Sequence, residues 1–278
     1  RQRRSNLYNM KIAYTLNGLV GGFSGKNNSN VDKDGDSILI LKYVSDLVQK
    51  NIIPYNDVDF FVFSWHTNFK DEFNSYLSPK KLKLIPQIDF SIPEHLKNGN
   101  INRVIAHKSR WYGFKEVMNL VSEYETENDF EYDLVVNARF DTCWNNPYEF
   151  KKLDVNKFHI PIQIDTPDYG WPNNGSEILD HIFASSSDWM KGYSSMFDFL
   201  DEYTLPNQCP QWNTISHHFL MVWHLNKLNL LSEDLIEKSF NNLHEKNPDI
   251  IGGTKNKNVD YDIFRYRQLT REDLSKHE

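Results

Sequence analysis

Short apolar runs alternate with longer amphipathic stretches along the first half of the chain. The runs that are typical of buried strands are 11–16, 58–64, 82–86 and 132–138. The stretches with helical spacing of apolar residues, or with the composition of a short helix, are 37–50, 69–78 and 102–125. This alternation predicts an α/β fold in which helices flank a mostly parallel sheet.

The second half of the chain is less regular and richer in predicted helix. Strands are expected at 158–162, 182–185 and 260–267, and helices at 188–202, 215–228 and 232–242. Residues 1–9 are interpreted as a tag or disordered tail, and 10–278 as one domain without an internal linker. Within this domain, residues 10–145 are expected to bind one substrate, and residues 146–278 to bind the second substrate, the acceptor.

Composition and charge narrow the classes of protein to which the chain can belong. The net charge of -7 disfavours a nucleic-acid partner, which is usually bound by a basic surface. Two cysteines without zinc-site spacing exclude a disulfide framework and a structural zinc, and no apolar run reaches membrane-spanning length. The 14% aromatic content exceeds what a core of this size requires, and surplus aromatic residues often line sugar or base sites.

Candidate chemistry concentrates where the predicted strands end. Ligands of open α/β sheets bind beyond the carboxyl ends of the strands, which selects 16–25, 64–68 and 137–145. The last of these segments places Arg139 and Asp141 two positions apart, on one side of an extended chain. Asp141 is therefore a candidate ligand for Mn²⁺ or Mg²⁺. Arg139 is a candidate for binding a phosphate or for orienting the Asp141 carboxylate. A simple salt bridge at the strand end explains the same pair equally well.

The segment YDLVVNARFDTCW, residues 132–144, resembles a strand-end signature of predicted GT-A glycosyltransferases. These enzymes are found in bacterial surface-polysaccharide clusters and in large viruses and phages, and carry Arg-x-Asp where many relatives have Asp-x-Asp. KIAYTLNG, VDFFVFSWHTN and the segment from Asp180 to Ser186 resemble further parts of the family in the same order, over roughly residues 11–225. The chain departs from the pattern in lacking an arginine after the first strand and in reading Pro210-Gln211-Trp212 before the late helix.

The resemblance implies a GT-A-like fold, a nucleotide-diphosphate sugar as donor, a glycan or other hydroxyl as acceptor, and a divalent metal, Mn²⁺ or Mg²⁺, on Asp141. Asp180 is the implied catalytic base of an inverting enzyme, with Asp165 and Asp168 behind it, or the carboxylate that stabilises the transition state of a retaining one. Tyr169 and Trp171 are candidate acceptor contacts. The residues expected to contact the nucleotide sugar are Thr15, Asn17, Gly18, Trp65, Lys108, Arg110 and Arg139. The implied setting is the cytoplasm of a bacterium or virus-infected host, with polysaccharide synthesis as the implied process and a peripheral membrane position left open.

Two other functions remain open from the sequence. A non-catalytic carbohydrate-binding or surface protein would keep the fold without turnover, and a related nucleotidyltransferase would consume a nucleoside triphosphate. His217, His218 and His224 have helical spacing that favours structural roles, although one of them could reach a diphosphate or metal. No nucleic acid and no integral membrane contact is expected.

Overall fold

The computed structural model describes residues 10–20, 34–161, 178–205, 208, 217–240 and 260–263. The strands are β1 (Lys11–Gly18), β2 (Asp57–Ser64), β3 (Lys81–Leu84), β4 (Leu134–Ala138), β5 (Thr142–Trp144), β6 (Phe158–Pro161), β7 (Ile182–Ser185), β8 (Ile236–Phe240) and β9 (Tyr261–Ile263). The helices are α1 (Asp34–Asn51), α2 (Lys70–Leu77), α3 (Ile101–Asn128), α4 (Ser187–Ser194), α5 (Met196–Tyr203) and α6 (His217–Lys227).

Seven of the strands form one mixed sheet in the order β3-β2-β1-β4-β7-β6-β8. β3, β2, β1 and β4 are parallel neighbours, and Gly18 pairs with Ser64 where β1 and β2 end. β7 runs antiparallel to both β4 and β6, and Ile182 at its start lies opposite Ala138 at the end of β4. β5 and β9 form a separate two-stranded ribbon. The expected α/β fold with a mostly parallel sheet is therefore confirmed, and it is compatible with a Rossmann-like arrangement.

Alternating side chains of the strands supply two hydrophobic cores, one on each face of the sheet. In β2, Phe61 and Phe63 point into the core that contains α3, whereas Phe60 and Val62 point into the core that contains α1. The side chains of α3 that complete the first core include Trp111, Phe114, Val117 and Val121. Helices thus cover both faces, as the near-continuous apolar runs of the strands require.

Helix α3 is held at both ends and approaches the sheet closely in its middle. The Asn100 side chain caps its first turn by accepting from the Arg103 backbone amide at 3.1 Å, and Asp129 ends it in a left-handed conformation. At Gly113, a Cβ would lie 3.1 Å from Asn17 Nδ2 and 3.2 Å from the Phe63 ring. The glycine therefore lets α3 lie against the ends of β1 and β2, next to the site described below.

Several predicted elements differ from the structure. The helix expected over 232–242 is wrong, because Ile236–Phe240 is strand β8, which pairs in parallel with β6. The helix expected over 188–202 is divided into α4 and α5, where the Ser194 and Ser195 hydroxyls donate to backbone carbonyls of the preceding turn. The short strand β5 was not predicted.

Along the described parts of the chain, every helix falls short of the length and apolarity that a membrane crossing would need.

Candidate functional site

The strand order reverses between β1 and β4, and polar side chains gather at that point. From β1 the chain proceeds to β2 and β3 on one side, whereas β4 lies on the other side of β1. Such a reversal opens a crevice outside the carboxyl ends of the two strands, where open α/β sheets bind their ligands. β1 ends at Gly18 and β4 ends at Ala138. Because β7 is antiparallel, its first residues reach the same edge of the sheet.

A buried polar network lies directly beneath this crevice. Its members are Thr15, Asn17, Arg110, Asn137 and Asp180, all less than a tenth exposed. Arg110 donates from Nη1 to Asn17 Oδ1 at 3.0 Å, and from Nη2 to Asn137 Oδ1 at 3.0 Å and the Asp180 carbonyl at 3.1 Å. Its Nε lies 3.5 Å from Asp180 Oδ2. One guanidinium thereby ties α3 to the ends of β1, β4 and β7.

Two amides and a hydroxyl complete the buried network. The Asn137 amide nitrogen donates to Thr15 Oγ1 at 2.8 Å and to Asn17 Oδ1 at 2.9 Å. Thr15 Oγ1 donates to the Val136 carbonyl at 3.2 Å, and Asn17 Nδ2 donates to the Arg110 carbonyl at 3.2 Å. Buried polar groups that are mutually hydrogen-bonded in this way hold one geometry, because leaving any of them unpaired is unfavourable.

The site mouth, which we define as Arg139 and Asp141, lies above the buried network and is partly exposed. The Arg139 guanidinium binds Asp141 with two hydrogen bonds, from Nε to Oδ1 at 2.8 Å and from Nη2 to Oδ2 at 2.5 Å. Its Nη1 reaches Asp180 Oδ1 at 3.3 Å. The side chains of Arg139 and Asp141 are 15% and 17% exposed, against 5% for Asp180. The site mouth is thus the part of the cluster that a ligand can reach.

The backbone between the two residues is a turn and not the extended strand that the sequence predicts. β4 stops at Ala138, and the Thr142 amide donates to the Arg139 carbonyl at 3.1 Å. The Arg139 amide donates to the His181 carbonyl at 3.0 Å, so the turn is joined to the start of β7. The two side chains nevertheless meet, because the turn brings positions i and i+2 to one side.

Asp180 is an ionised carboxylate. Burial by itself raises its pKa, but the nearby Arg139 guanidinium and the His218 side chain lower the pKa well below its ordinary value. A carboxylate stabilised in this form accepts a proton poorly near neutral pH. This environment favours an electrostatic and positioning role for Asp180 over that of the catalytic base implied by the resemblance.

Histidines surround the carboxylate of Asp180. His218 Nε2 lies 3.6 Å from Asp180 Oδ1, and the His217 ring stacks on His107 with 3.7 Å between ring centroids. Burial and nearby cationic groups lower the pKa of His181 and of His217 well below the ordinary value, so both are neutral. His224 lies apart from them, with its Nδ1 2.6 Å from the Tyr203 hydroxyl.

The structure brings some of the predicted site residues together and separates others. Thr15, Asn17, Arg110, Arg139, Asp141 and Asp180 meet at one place. Arg110 is enclosed by protein groups, so it positions the cluster and does not face a phosphate directly. Gly18 has a positive φ of 108°, and its carbonyl accepts from the Ser64 hydroxyl at 2.9 Å, so this glycine is required by the turn that leaves β1.

Two further residues that were predicted to contact the ligand are occupied by contacts within the protein. Trp65 is 7% exposed and stacks on Tyr112 with ring centroids 5.7 Å apart, which is a packing position in the first core. Lys108 binds Asp201 at 2.7 Å and the Ser91 carbonyl at 2.8 Å, away from the cluster. Two positions along a helix correspond to about 200° of rotation, so Lys108 and Arg110 point in opposite directions. Tyr169, Trp171 and the reserve carboxylates Asp165 and Asp168 lie outside the described residues.

The side chains of the site do not fit a divalent metal as they are arranged. Hard divalent cations need free oxygen ligands, yet both Asp141 oxygens accept from Arg139. Asp180 is bound by Arg139 and lies 3.5 Å from Arg110 Nε. Among the residues that the structure describes, no set of three or more His, Cys, Asp or Glu side chains is grouped to hold a metal. The metal on Asp141 stays a prediction.

Asn137 is a site residue that sequence reasoning did not select, and His218 was considered only within a group of histidines for which structural roles were favoured. Asn137 is fully buried and contacts Thr15, Asn17 and Arg110. A single amide within the apolar strand LVVNA was the available signal, because a buried polar side chain needs a partner. His218 has no such signal, because its proximity to Asp180 depends on how α6 packs.

The chain matches no protein-family model, and a search of curated proteins finds no significant match.

Proposed function

We propose that the chain is a glycosyltransferase that moves a sugar from a nucleotide-diphosphate sugar to a hydroxyl of a glycan or another acceptor, on a GT-A-like fold. One observation carries the proposal: a guanidinium, Arg139, lies partly exposed at the reversal of strand order and is anchored from behind by a buried polar network. The resemblance of residues 132–144 to the GT-A signature adds to it.

The chemistry of sugar transfer asks for such a group. When the bond from the sugar to the diphosphate breaks, negative charge grows on the departing diphosphate oxygens. A fixed cation at that position stabilises the transition state more than the bound donor. Asp141 and Asp180 raise the pKa of Arg139 against the opposing effect of burial, so its charge is permanent.

Arg110, Asn17 and Asn137 act behind Arg139. Asn17 and Asn137 hold Arg110, which donates to the Asp180 carbonyl at 3.1 Å, and Asp180 in turn accepts from Arg139 Nη1 at 3.3 Å. A guanidinium whose neighbours are already in place needs no rearrangement when charge develops, and this is the condition under which electrostatic catalysis is strong. In this proposal Asp180 orients the cation, and the proton acceptor for the acceptor hydroxyl is not assigned.

Nucleotide binding followed by turnover tests the proposal. Thermal unfolding is measured with UDP, GDP or CMP, each in EDTA and in Mn²⁺, and we expect one of the nucleotides to raise the midpoint because a ligand of the folded state stabilises it. The shift should disappear in Arg139→Gln and persist in Lys108→Gln, a variant that removes a positive charge away from the cluster. A wild-type protein that responds to none of the nucleotides would refute the proposal.

Mass spectrometry of sugar donors then separates this function from its rivals. Cleavage of a nucleotide sugar, with or without an added acceptor, supports the transferase. Binding without cleavage would favour a non-catalytic carbohydrate-binding protein, and consumption of a nucleoside triphosphate together with a sugar phosphate would favour a nucleotidyltransferase.

A further inference from the structure

The site mouth already contains the kind of complex that an arginine forms with a phosphate. Two parallel N–H groups of Arg139, on Nε and Nη2, face the two oxygens of Asp141. A carboxylate and a phosphate bind the guanidinium fork in the same bidentate manner. Asp141 therefore occupies the edge of Arg139 that an incoming phosphate would use.

The two arginines and the two carboxylates of the cluster balance in charge. Arg110 and Arg139 supply two positive charges, and Asp141 and Asp180 supply two negative ones. A phosphate would add negative charge to this set in a site that is largely shielded from water. Its binding becomes more favourable when one carboxylate leaves its arginine.

Asp141 is the more exposed of the two carboxylates. Its side chain is 17% exposed and belongs to the turn between β4 and β5, so moving it away from Arg139 disturbs less of the packed protein. Asp180 is 5% exposed, lies 3.5 Å from Arg110 Nε and 3.6 Å from His218 Nε2, and is enclosed on several sides. The Arg139 backbone stays in place through its 3.0 Å bond to His181.

We propose that Arg139 is an anion site whose resident anion is Asp141, and that a phosphate group of a diphosphate ligand binds by replacing Asp141 on the guanidinium. This deepens the proposed function, since it says how the donor's diphosphate gains access to Arg139. It also opposes the prediction of a metal on Asp141. If Asp141 holds a metal, its carboxylate is needed for diphosphate binding. If Asp141 is the resident anion, its carboxylate competes with the diphosphate for Arg139. Removing the Asp141 charge therefore has opposite effects under the two views.

Calorimetric titration with inorganic pyrophosphate in EDTA tests the exchange. We expect Asp141→Asn to bind pyrophosphate about tenfold more tightly than the wild type, because the carboxylate that competes for the Arg139 guanidinium has been removed. Asp198→Asn, whose aspartate pairs with Lys115 on the protein surface, makes the same change in net charge and should leave the affinity unchanged. Arg139→Gln should abolish binding, both alone and combined with Asp141→Asn. Asp141→Ala controls for a local effect of the new amide. Circular dichroism checks that each variant is folded.

Two results would overturn the exchange. One is unchanged or weaker pyrophosphate binding by both folded Asp141 variants. The other is wild-type binding that needs Mn²⁺ and is lost in those variants, which would make Asp141 a metal ligand. Neither result depends on sugar transfer. Tighter pyrophosphate binding by the Asp141 variants, in a protein that responds to no nucleotide, would support the anion site and refute the transferase. A nucleotide response without tighter pyrophosphate binding by those variants would support the transferase and refute the exchange.

Discussion

Replacing Arg110 with methionine tests whether the buried network stabilises the protein. The side chains of Arg110 and Asp180 are 8% and 5% exposed, so the substitution removes one partner of a pair that is shielded from water. Such a loss destabilises proteins by about 3–5 kcal/mol, because the remaining charge stays buried without compensation. Asp180 keeps Arg139 at 3.3 Å, which places the expected loss near the lower end, at about 3 kcal/mol.

The matched control is Lys115→Met, on the same helix. Lys115 binds Asp198 at 2.6 Å, but the two side chains are 33% and 49% exposed. An exposed pair contributes less than about 1 kcal/mol, so this variant should unfold almost like the wild type. Urea unfolding followed by tryptophan fluorescence measures both. With a slope of about 3 kcal/mol/M, the midpoint should fall by about 1 M for Arg110→Met and by no more than about 0.3 M for Lys115→Met.

A double variant identifies the source of the loss. If the penalty comes from the stranded carboxylate of Asp180, Arg110→Met combined with Asp180→Asn should be more stable than Arg110→Met alone. Midpoints for Arg110→Met and Lys115→Met that agree within error would refute the reasoning, because burial would then make no difference to the value of the ion pair.

Four further substitutions examine features outside the ion pairs. Gly113→Ala should lower the free energy of unfolding by about 1 kcal/mol, although alanine favours helix, because its Cβ would lie 3.1 Å from Asn17 Nδ2. Gly192 has open space around it, so Gly192→Ala should raise the free energy of unfolding in urea by up to about 1 kcal/mol. Burial lowers the pKa of His224 to about 4, so the unfolded chain takes up the proton first and about 2 kcal/mol of stability is lost between pH 7 and pH 5. His224→Gln should reduce the slope of that part of a urea midpoint–pH curve, to which the buried His181 and His217 also contribute, and an unchanged curve would contradict it. Trp65→Phe should cost about 1–2 kcal/mol of packing while any nucleotide-induced thermal shift stays, whereas loss of that shift would favour base stacking.

The sequence predicted the edge of the sheet at which the site forms but not the contacts within it. Apolar runs located β1, β2 and β4, and the rule for strand ends then selected the neighbourhoods of Asn17 and Arg139. The hydrogen bond between Arg110 and the Asp180 carbonyl joins positions 70 residues apart. Contacts of that range depend on how α3 and β7 pack against the sheet, which local patterns do not encode.

Two differences between expectation and structure have separate physical origins. Lys108 and Arg110 were expected to face one ligand together, although helical periodicity separates the two side chains by about 200°, so their different surroundings could have been foreseen. The strand Ile236–Phe240 could not, because it is defined by its pairing with β6, and tertiary pairing overrides the weak local preference of a short segment.

The antiparallel direction of β7 has a consequence for folding. The cluster joins Asn17 to Arg110 across 93 positions and Asn17 to Asn137 across 120, and it is closed by Asp180 in the turn that leads into β7. Contacts so distant along the chain form only after the loops between them have closed, which is entropically slow. A shift of β7 by one residue would also turn its side chains to the opposite faces of the sheet and displace Asp180 from its partners. Correct binding at Arg139 would therefore report that the sheet has assembled in its native register.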